Sequence, residues 1–451
     1  MTGRLLPLGK RLLYRATFGK KAARRLRYLR RLQDSDAAFQ AVQDAARRAL
    51  LSHASRHVPF YRAALSEAQS AGEDWLGVPR LDRSELRDNF AALRSDDADR
   101  RHCYDNRSGG STGEPVRFIQ DRDYAAWSAA VTALFDSWAG YAVGDSRVCL
   151  WGSERDLLIG RETVRTRAGR WLRSERWLNA FRMTDANMSE YVQAINEAGA
   201  VRILGYADAL FELAKFSLRT GVPLRPPVSI MSSAGTLHPW MRKTISDAFR
   251  APIYDRYGSR EVGDIACQCA QGEGLHISPV THIVEVLDND GRPCGPGEAG
   301  DVHITVLRNY SMPFIRYKIG DVASWSREPC RCGSPWPVLE RVWGRSADTL
   351  VTAEGVVPPQ YFIHMIGVAL QGRSIEKVQV VQKSLDHVIV RVVPAGGELL
   401  SATGSELTRI FRRVLGPECT VDIEPVPEIP KCASGKFRYV VSELTERCVT
   451  A

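Results

Sequence analysis

A chain of 451 residues is too long for one ordinary domain and long enough to bury a large core. Its 44% hydrophobic and 25% charged residues give a soluble, globular balance, and no run of about 18 apolar residues marks a membrane-spanning helix. The net charge of +9 is concentrated at one end and so excludes little about the body of the chain.

From Met1 to Gln33 there are eleven basic residues (Arg4, Lys10, Arg11, Arg15, Lys20, Lys21, Arg24, Arg25, Arg27, Arg30 and Arg31) and no Asp or Glu. That segment carries +11, which leaves −2 for the rest (9 − 11). Leu, Tyr and Phe interleaved with the charges suit an amphipathic helix beginning after Pro7 and Gly9. A helical extension covering the main domain is the favoured reading. Weak contact of residues 1–33 with an anionic membrane is the alternative, and nucleic acid is not expected as a partner. The start is too interrupted by charge for a secretory signal, so the expected compartment is the cytoplasm.

Residues 39–90 read as helical, broken at Val58-Pro59 and Val78-Pro79. A Gly/Ser/Thr-rich loop, Ser108-Gly-Gly-Ser-Thr-Gly-Glu-Pro115, precedes a helix whose apolar face is Trp127, Val131, Leu134, Phe135 and Trp138. Strands and helices then alternate. Strands are predicted at 147–151, 201–204, 228–231 and 253–257, and helices at 207–218 and 238–249. Such βα units imply a largely parallel sheet with binding loops at the carboxyl ends of its strands. From His276 to Trp325 the texture is β-rich, with strands at 283–287 and 302–306. A boundary at Gly344-Arg345 precedes short strands at 378–381 and 388–393 and a helix at 405–415.

Six segments could carry chemistry. In the loop Ser108, Gly109, Gly110, Ser111, Thr112 and Gly113, glycines let the backbone wrap a polyphosphate and hydroxyls add donors. Ser232-Ser-Ala-Gly-Thr236 and Tyr257-Gly-Ser-Arg-Glu261 each follow a predicted strand. A Tyr there suits stacking on a purine, and a Glu suits Mg²⁺ against phosphate. Asp321 in Arg316-Tyr-Lys-Ile-Gly-Asp321 suits a ribose diol. Gly344-Arg-Ser-Ala-Asp348 lies at the predicted boundary, and Pro430-Lys-Cys-Ala-Ser-Gly-Lys436 near the carboxyl terminus.

In this order the segments resemble the adenylate-forming superfamily of acyl-CoA synthetases, nonribosomal adenylation domains and luciferases. More closely, they resemble its phenylacetate–CoA ligase branch, including capsule-biosynthesis-like members. The resemblance runs from Ser108 to Arg438, with His57-Val-Pro-Phe-Tyr61 also similar. It implies an α/β fold: a large multi-subdomain body followed by a small mobile α+β domain. The corresponding divisions are a basic helical region at 1–103, an adenylation body at 104–344 and a lid at 345–451. It implies ATP phosphates on the loop 108–113, adenine beside Ala234, Gly235, Thr236, Tyr257, Gly258 and Ser259, and Mg²⁺ on Glu261. Ribose would meet Asp321 and Arg345, the acid would meet Tyr206 and Gly258, and Lys436 would reach the reacting carboxylate and α-phosphate. The implied reaction activates a small, aromatic acid as acyl-AMP and transfers it to CoA. The alternative acceptor is an amine, as in an amide synthetase.

Three departures stand out. Glu114 replaces a common Lys, Ala347 and Asp348 replace an acidic pair at the hinge, and Gly355-Val-Val-Pro358 lacks the usual Asn on the CoA side.

Ten cysteines in a large chain point to metal or reduced thiols rather than disulfides. Cys269, His276, Cys330 and Cys332 make a closed structural zinc set, with Cys267 able to replace Cys269. A non-enzymatic nucleotide- and zinc-binding protein is the third functional class, disfavoured by the intact Glu261, Asp321 and Lys436.

Overall fold

The computed structural model describes residues 19–34, 36–108, 116–151, 164–180, 183–272, 274–345, 350–352, 355–357, 375–394, 401–430 and 440–444. The chain divides into two compact units, one of residues 1–319 with 323–342 and one of 320–322 with 343–451.

The amino-terminal elements are helical: α1 (Lys20–Leu32), α2 (Asp36–His57), α3 (Pro59–Ala64), α4 (Glu67–Ala71), α5 (Arg83–Asp88) and α6 (Phe90–Leu93). A hairpin of β1 (Tyr104–Arg107) and β2 (Arg117–Gln120) leads into α7 (Arg122–Trp138). The alternating region contains β3 (Arg147–Trp151), α8 (Val164–Leu172), β4 (Glu175–Asn179), α9 (Asp185–Ala198) and β5 (Arg202–Tyr206). It continues with α10 (Ala207–Thr220), β6 (Ser229–Ser233), α11 (Pro239–Phe249) and β7 (Ile253–Ser259). Then come β8 (Gly263–Gln268), β9 (Leu275–Ile277), β10 (His282–Leu287), β11 (Ala299–Val306), β12 (Tyr317–Trp325) and β13 (Val338–Arg345). These strands form one sheet in the order β10-β11-β12-β13-β9-β8-β7-β6-β5-β3-β4.

Strands β3 to β7 are parallel, and β8 and β9 turn antiparallel beyond β7. Alternation along the parallel strands separates two layers. Val148, Leu150, Ile203 and Ile230 pack with α9, α10 and α11. Cys149, Leu204 and Met231 pack with α1 and α7 on the other face. This period of two, with apolar residues on both faces, is what a sheet covered on both sides requires. A third core joins the amino-terminal helices to the antiparallel strands through Leu50, Leu51, Tyr61, Val302, Ile304 and Phe314.

The second unit contains a hairpin of β14 (Leu350–Thr352) and β15 (Gly355–Val357). Beside it, β16 (Ile375–Ser384), β17 (His387–Pro394), β18 (Thr420–Pro425) and β19 (Val440–Ser442) form a sheet ordered β18-β17-β16-β19, accompanied by helix α12 (Ser401–Leu415). The mixed α/β architecture with a small carboxyl-terminal α+β part matches the fold expected from the sequence.

The basic arm is folded onto the body from Lys20 onward. Ala22, Arg25, Leu26, Leu29 and Leu32 are buried at helical spacing. Arg25 spends its charge on Asp123 of α7, donating to its carboxylate at 2.5 Å and to its backbone carbonyl at 2.7 Å. The apolar face that could have entered a membrane is therefore already used, while Lys20, Lys21, Arg24, Arg27, Arg30 and Arg31 remain exposed. Strand β4, Glu-Arg-Trp-Leu-Asn, is absent from the elements expected from the sequence. It is an edge strand rich in charge, and Arg147 and Arg173 both pair with its buried Glu175.

Candidate active site and metal centre

Because β3, β5, β6 and β7 run parallel, their carboxyl ends share one edge, and the segments 232–236 and 257–261 lie there beside Gly205 and Tyr206. Registers Leu150↔Gly205 and Tyr206↔Ser233 bring the ends of β3, β5 and β6 level. Trp151 and Tyr206 meet edge to face, with ring centroids 4.3 Å apart. Just before this pair, Gly205 lets α10 pack close against β5, since a Cβ there would lie 2.8 Å from Leu210 Cγ. After β6 the backbone turns sharply at Ala234, whose φ of +60° is a left-handed conformation that a residue with a Cβ seldom adopts. Strain of this kind persists only where the surroundings fix it, and it concentrates at ligand sites. Gly235 and Thr236 follow, partly exposed, against the start of α10.

At the end of β7 the ladder slips between Tyr257 and Gly258. A Cβ on Gly258 would sit 2.5 Å from the Gly263 carbonyl oxygen, so only glycine fits the tight return into β8. The turn holds Glu261 at 5% exposure. Gln120 fixes it from β2 by donating to the carbonyls of Arg260 and Glu261, both at 3.2 Å. The Ser259 hydroxyl accepts from the Val262 amide at 3.4 Å.

Arg83, on the first turn of α5, joins two of the segments. It donates to the Ser108 hydroxyl at 3.0 Å and stands 4.0 Å from the Glu261 carboxylate. Ser108 in turn accepts from the Val116 amide at 2.9 Å. Gly109, Gly110, Ser111, Thr112, Gly113 and Lys436 lie outside the described residues, as do Ala347, Asp348 and Pro358. Arg345 ends β13, with its side chain outside the described set. Asp321 is buried on β12. The Arg that opens its segment serves the structure: Arg316, at φ +51°, grips Glu285 with two hydrogen bonds and donates to the carbonyls of Leu76 and Val78.

A second cluster lies beyond β8. Ligand atoms of Cys269, His276, Cys330 and Cys332 all fall within 4.8 Å of one another. Cys269 Sγ is 3.5 Å from Cys330 Sγ, and Cys332 Sγ is 3.4 Å from His276 Nε2. Tetrahedral zinc with 2.3 Å Zn–S bonds would set sulfurs about 3.8 Å apart, so the donors are near the spacing the ion needs. Gly272 makes room, because a Cβ there would meet Cys330 Sγ at 2.4 Å. Burial, with the neighbouring thiols, raises the Cys269 thiol to about 12 and moves Cys332 upward. Cys267, considered as a substitute ligand, lies opposite His276 in the ladder, but its sulfur is buried against Met231 Sδ at 4.0 Å.

Residues 350–443 match the family described as the CapK C-terminal domain. Protein CapK of Staphylococcus aureus is 24% identical over 339 residues, spanning 75% of this chain and 74% of that protein. Phenylacetate-coenzyme A ligase of Thermus thermophilus is 23% identical over 451 aligned positions, spanning 89% and 96%. The crystal structure of 2-hydroxyisobutyryl-CoA ligase in its postadenylation state superposes with a TM-score of 0.72 at 19% identity, covering 93% of each chain. The chain belongs to the adenylate-forming superfamily. Its place there is phenylacetate–CoA ligase-like. An amide bond synthetase from Marinactinospora thermotolerans shares the fold more loosely, with a TM-score of 0.51 at 16% identity over 72% of this chain and 65% of that one. For an adenylate-forming protein, the residues that sequence reading missed are Arg83 and Gln120. Neither stands in a motif, and only the tertiary fold brings them to Glu261.

Proposed function

We propose that this protein joins a small carboxylic acid to ATP, giving acyl-AMP and pyrophosphate, and then passes the acyl group to CoA. The observation that carries the reading is the Arg83 bridge. It sets the head of the Gly/Ser/Thr loop beside Glu261, although the two segments lie some 150 residues apart in sequence. A phosphate-wrapping loop and a buried carboxylate able to hold Mg²⁺ are the two halves of a nucleotide-triphosphate site.

In the first step a carboxylate oxygen of the acid bonds to the α-phosphorus of ATP, and the bond from that phosphorus to the bridging oxygen breaks. Pyrophosphate leaves with the electron pair. Negative charge gathers at the α-phosphate, and Lys436 from the 345–451 lid is assigned to stabilise it. Glu261 is assigned to Mg²⁺, Tyr257 to adenine, Asp321 and Arg345 to ribose, and Ala234-Gly235-Thr236 to the adenine edge. Tyr206 and Gly258 are assigned to the acid. In the second step the CoA sulfur bonds to the acyl carbon, AMP departs, and the thiol proton goes to solvent.

Cys269, His276, Cys330 and Cys332 would hold a structural zinc. The ion would reverse the upward thiol shifts, since a coordinated thiol is deprotonated. A set of four protein ligands leaves no position open for substrate.

Pyrophosphate release with ATP, Mg²⁺ and a panel of acids tests the reading, with CoA and hydroxylamine supplied in parallel as acceptors. Acid-dependent release, with thioester formed when CoA is present, is expected. Release with hydroxamate but no thioester would shift the acceptor to a nitrogen nucleophile, and no release with any acid would refute the adenylation reading. Lys436→Ala should slow acyl-AMP formation on the order of a hundredfold or more while leaving ATP binding intact.

A further inference from the structure

A cavity of about 400 Å³ runs along one side of α7 and opens beside Glu261. One end is bounded by Arg260 and Gly263, which bracket the Glu261 turn, and by Gln120, which holds that turn. The other end reaches Asp136 and Arg147. Tyr124 and Asp136 are twelve positions apart on the helix, so the groove is on the order of 18 Å long at 1.5 Å per residue.

Its lining is unlike that of an apolar ligand site. Hydroxyls of Tyr124, Ser128 and Thr132 share the wall with the guanidinium groups of Arg147 and Arg260. The aliphatic contributors are Ala125, Ala129, Ala133 and Val143, and each of the aromatic rings in the lining, Tyr104, Tyr124 and Tyr141, carries a hydroxyl. A pocket built for an aryl group would present large hydrophobic and aromatic faces with few polar atoms.

Two donors in this wall have no hydrogen-bond partner among the described residues. The Tyr124 hydroxyl belongs to a residue only 5% exposed, and Arg147 Nε is buried although the terminal nitrogen of that group pairs with Glu175. A buried donor left unmet is unfavourable, and both of these ask for an acceptor oxygen. The acid in the wall makes no competing demand. Both Asp136 oxygens are held by the buried Arg202, one at 3.0 Å, so its charge is already neutralised. At the mouth Gly263 has φ +78°, and a Cβ there would come within 2.6 Å of the Tyr124 hydroxyl. Glycine at 263 thus leaves room for that hydroxyl at the end of the groove.

We propose that this cavity seats the distal part of the acid, and that the protein takes oxygen-rich aliphatic acids, hydroxylated or with a second carboxylate, in preference to apolar or aryl ones. The inference rests on the adenylation reading for the position of the reacting carboxylate. It adds the chemical class of the substrate, drawn from residues that, Arg260 apart, lie outside every motif of the sequence.

The test uses the full chain and four acids. Three share a six-carbon chain: hexanoate, adipate and gluconate. Phenylacetate is the aryl comparison. Binding is measured by calorimetry and pyrophosphate release in parallel. Adipate or gluconate should bind about tenfold more tightly than hexanoate and phenylacetate, because a site built to hydrogen-bond an oxygen rejects the analogue that lacks it. Tyr124→Phe, which removes one oxygen, should erase most of that preference by weakening the polar acid. Ser128→Leu, at a partly exposed position that fills the groove, should do the same if the first variant fails to fold. Equal or tighter binding of hexanoate or phenylacetate, no binding of any acid, or a preference unchanged in a folded variant would overturn the proposal. Pyrophosphate release with the apolar acids alone would overturn it while leaving the adenylation reading standing. Polar-acid binding that is lost in the variants, with no pyrophosphate release from any acid, would keep the site and refute the adenylation reading.

Discussion

Arg83 is the residue through which the amino-terminal helices enter the candidate active site. Its guanidinium satisfies Ser108 and faces Glu261, so Arg83→Met should leave the two ends of the nucleotide site unlinked. Loss of a charge-assisted hydrogen bond of this type should raise KM for ATP about tenfold, read from pyrophosphate release, while the melting temperature changes little. An unchanged KM would remove Arg83 from the site. The glycine-bearing segments around it were legible in the sequence because their backbone demands are local: Gly258 and Gly205 fit where no Cβ does. Arg83 and Gln120 were not, since an ordinary arginine or glutamine gains its role only from what the fold places opposite it. The choice between Cys267 and Cys269 was likewise made by packing, with one sulfur against Met231 and the other facing Cys330. Cys330→Ser should therefore abolish zinc in elemental analysis and lower the unfolding midpoint, whereas Cys267→Ser should retain the ion. Zinc retained by the Cys330 variant would count against the assigned ligand set.

Helix α1 shows how one element divides its two faces between different physics. Its buried face inserts Leu26, Leu29 and Leu32 beside α7, and Trp336 donates to the Leu32 carbonyl at 3.3 Å. Leu29→Ala at full burial should cost about 2–5 kcal/mol, measured as a drop in the urea midpoint. The outward face is a surface of cations. Reversing Lys21, Arg24 and Arg31 to Glu should leave stability within about 0.5 kcal/mol. If this face meets an anionic bilayer, the same change should reduce co-sedimentation with phosphatidylserine vesicles, with about 1 kcal/mol lost per charge. The effect should fade as salt shortens the Debye length to about 8 Å and below. Equal sedimentation of both proteins at low salt would leave α1 a structural cover alone. The sequence marked this helix as amphipathic and favoured a cover for the main domain, without naming the element its apolar face would meet. The same limit explains the strands. Those at 147–151 and 228–231 carried the apolar texture of a sheet covered on both sides. The charged edge strand β4 was invisible because Glu175 becomes buried only once Arg147 and Arg173 surround it.

The first unit as a whole encloses several histidines that must stay neutral, and this ties its stability to pH. His282 opens β10 where the amino-terminal helices meet the sheet, and Gln43 of α2 donates to its carbonyl at 3.1 Å. Its ring is fully buried. Nε2 lies 2.8 Å from the Val262 carbonyl and must donate, so Nδ1, 3.0 Å from the Thr281 hydroxyl, is the acceptor of a neutral imidazole. Burial lowers its pKa to about 4, although the Val262 carbonyl and Asp264 oppose the shift. Burial likewise lowers His303 to about 4 and His238 to about 3. In the unfolded chain these rings titrate near 6.5. Above that value both states are neutral and the contribution is fully present. As pH falls below it, only the unfolded chain gains the proton, and each ring lowers stability by about 1.4 kcal/mol per pH unit until the folded pKa is reached. Carboxylates held low by arginine, such as Glu175, add to the loss at still lower pH, so the total slope does not isolate the histidines. A difference between two proteins does. His282→Gln keeps one donor for Val262 and one acceptor for Thr281 but has no proton to take up. Tryptophan fluorescence follows the right unit, because every tryptophan except Trp343 belongs to it. Between pH 6 and 4.5 the urea midpoint of the wild type should fall more steeply than that of the variant, by about one proton per chain. Parallel profiles would mean that the His282 ring gains its proton in the folded state, with water reaching it before the unit unfolds.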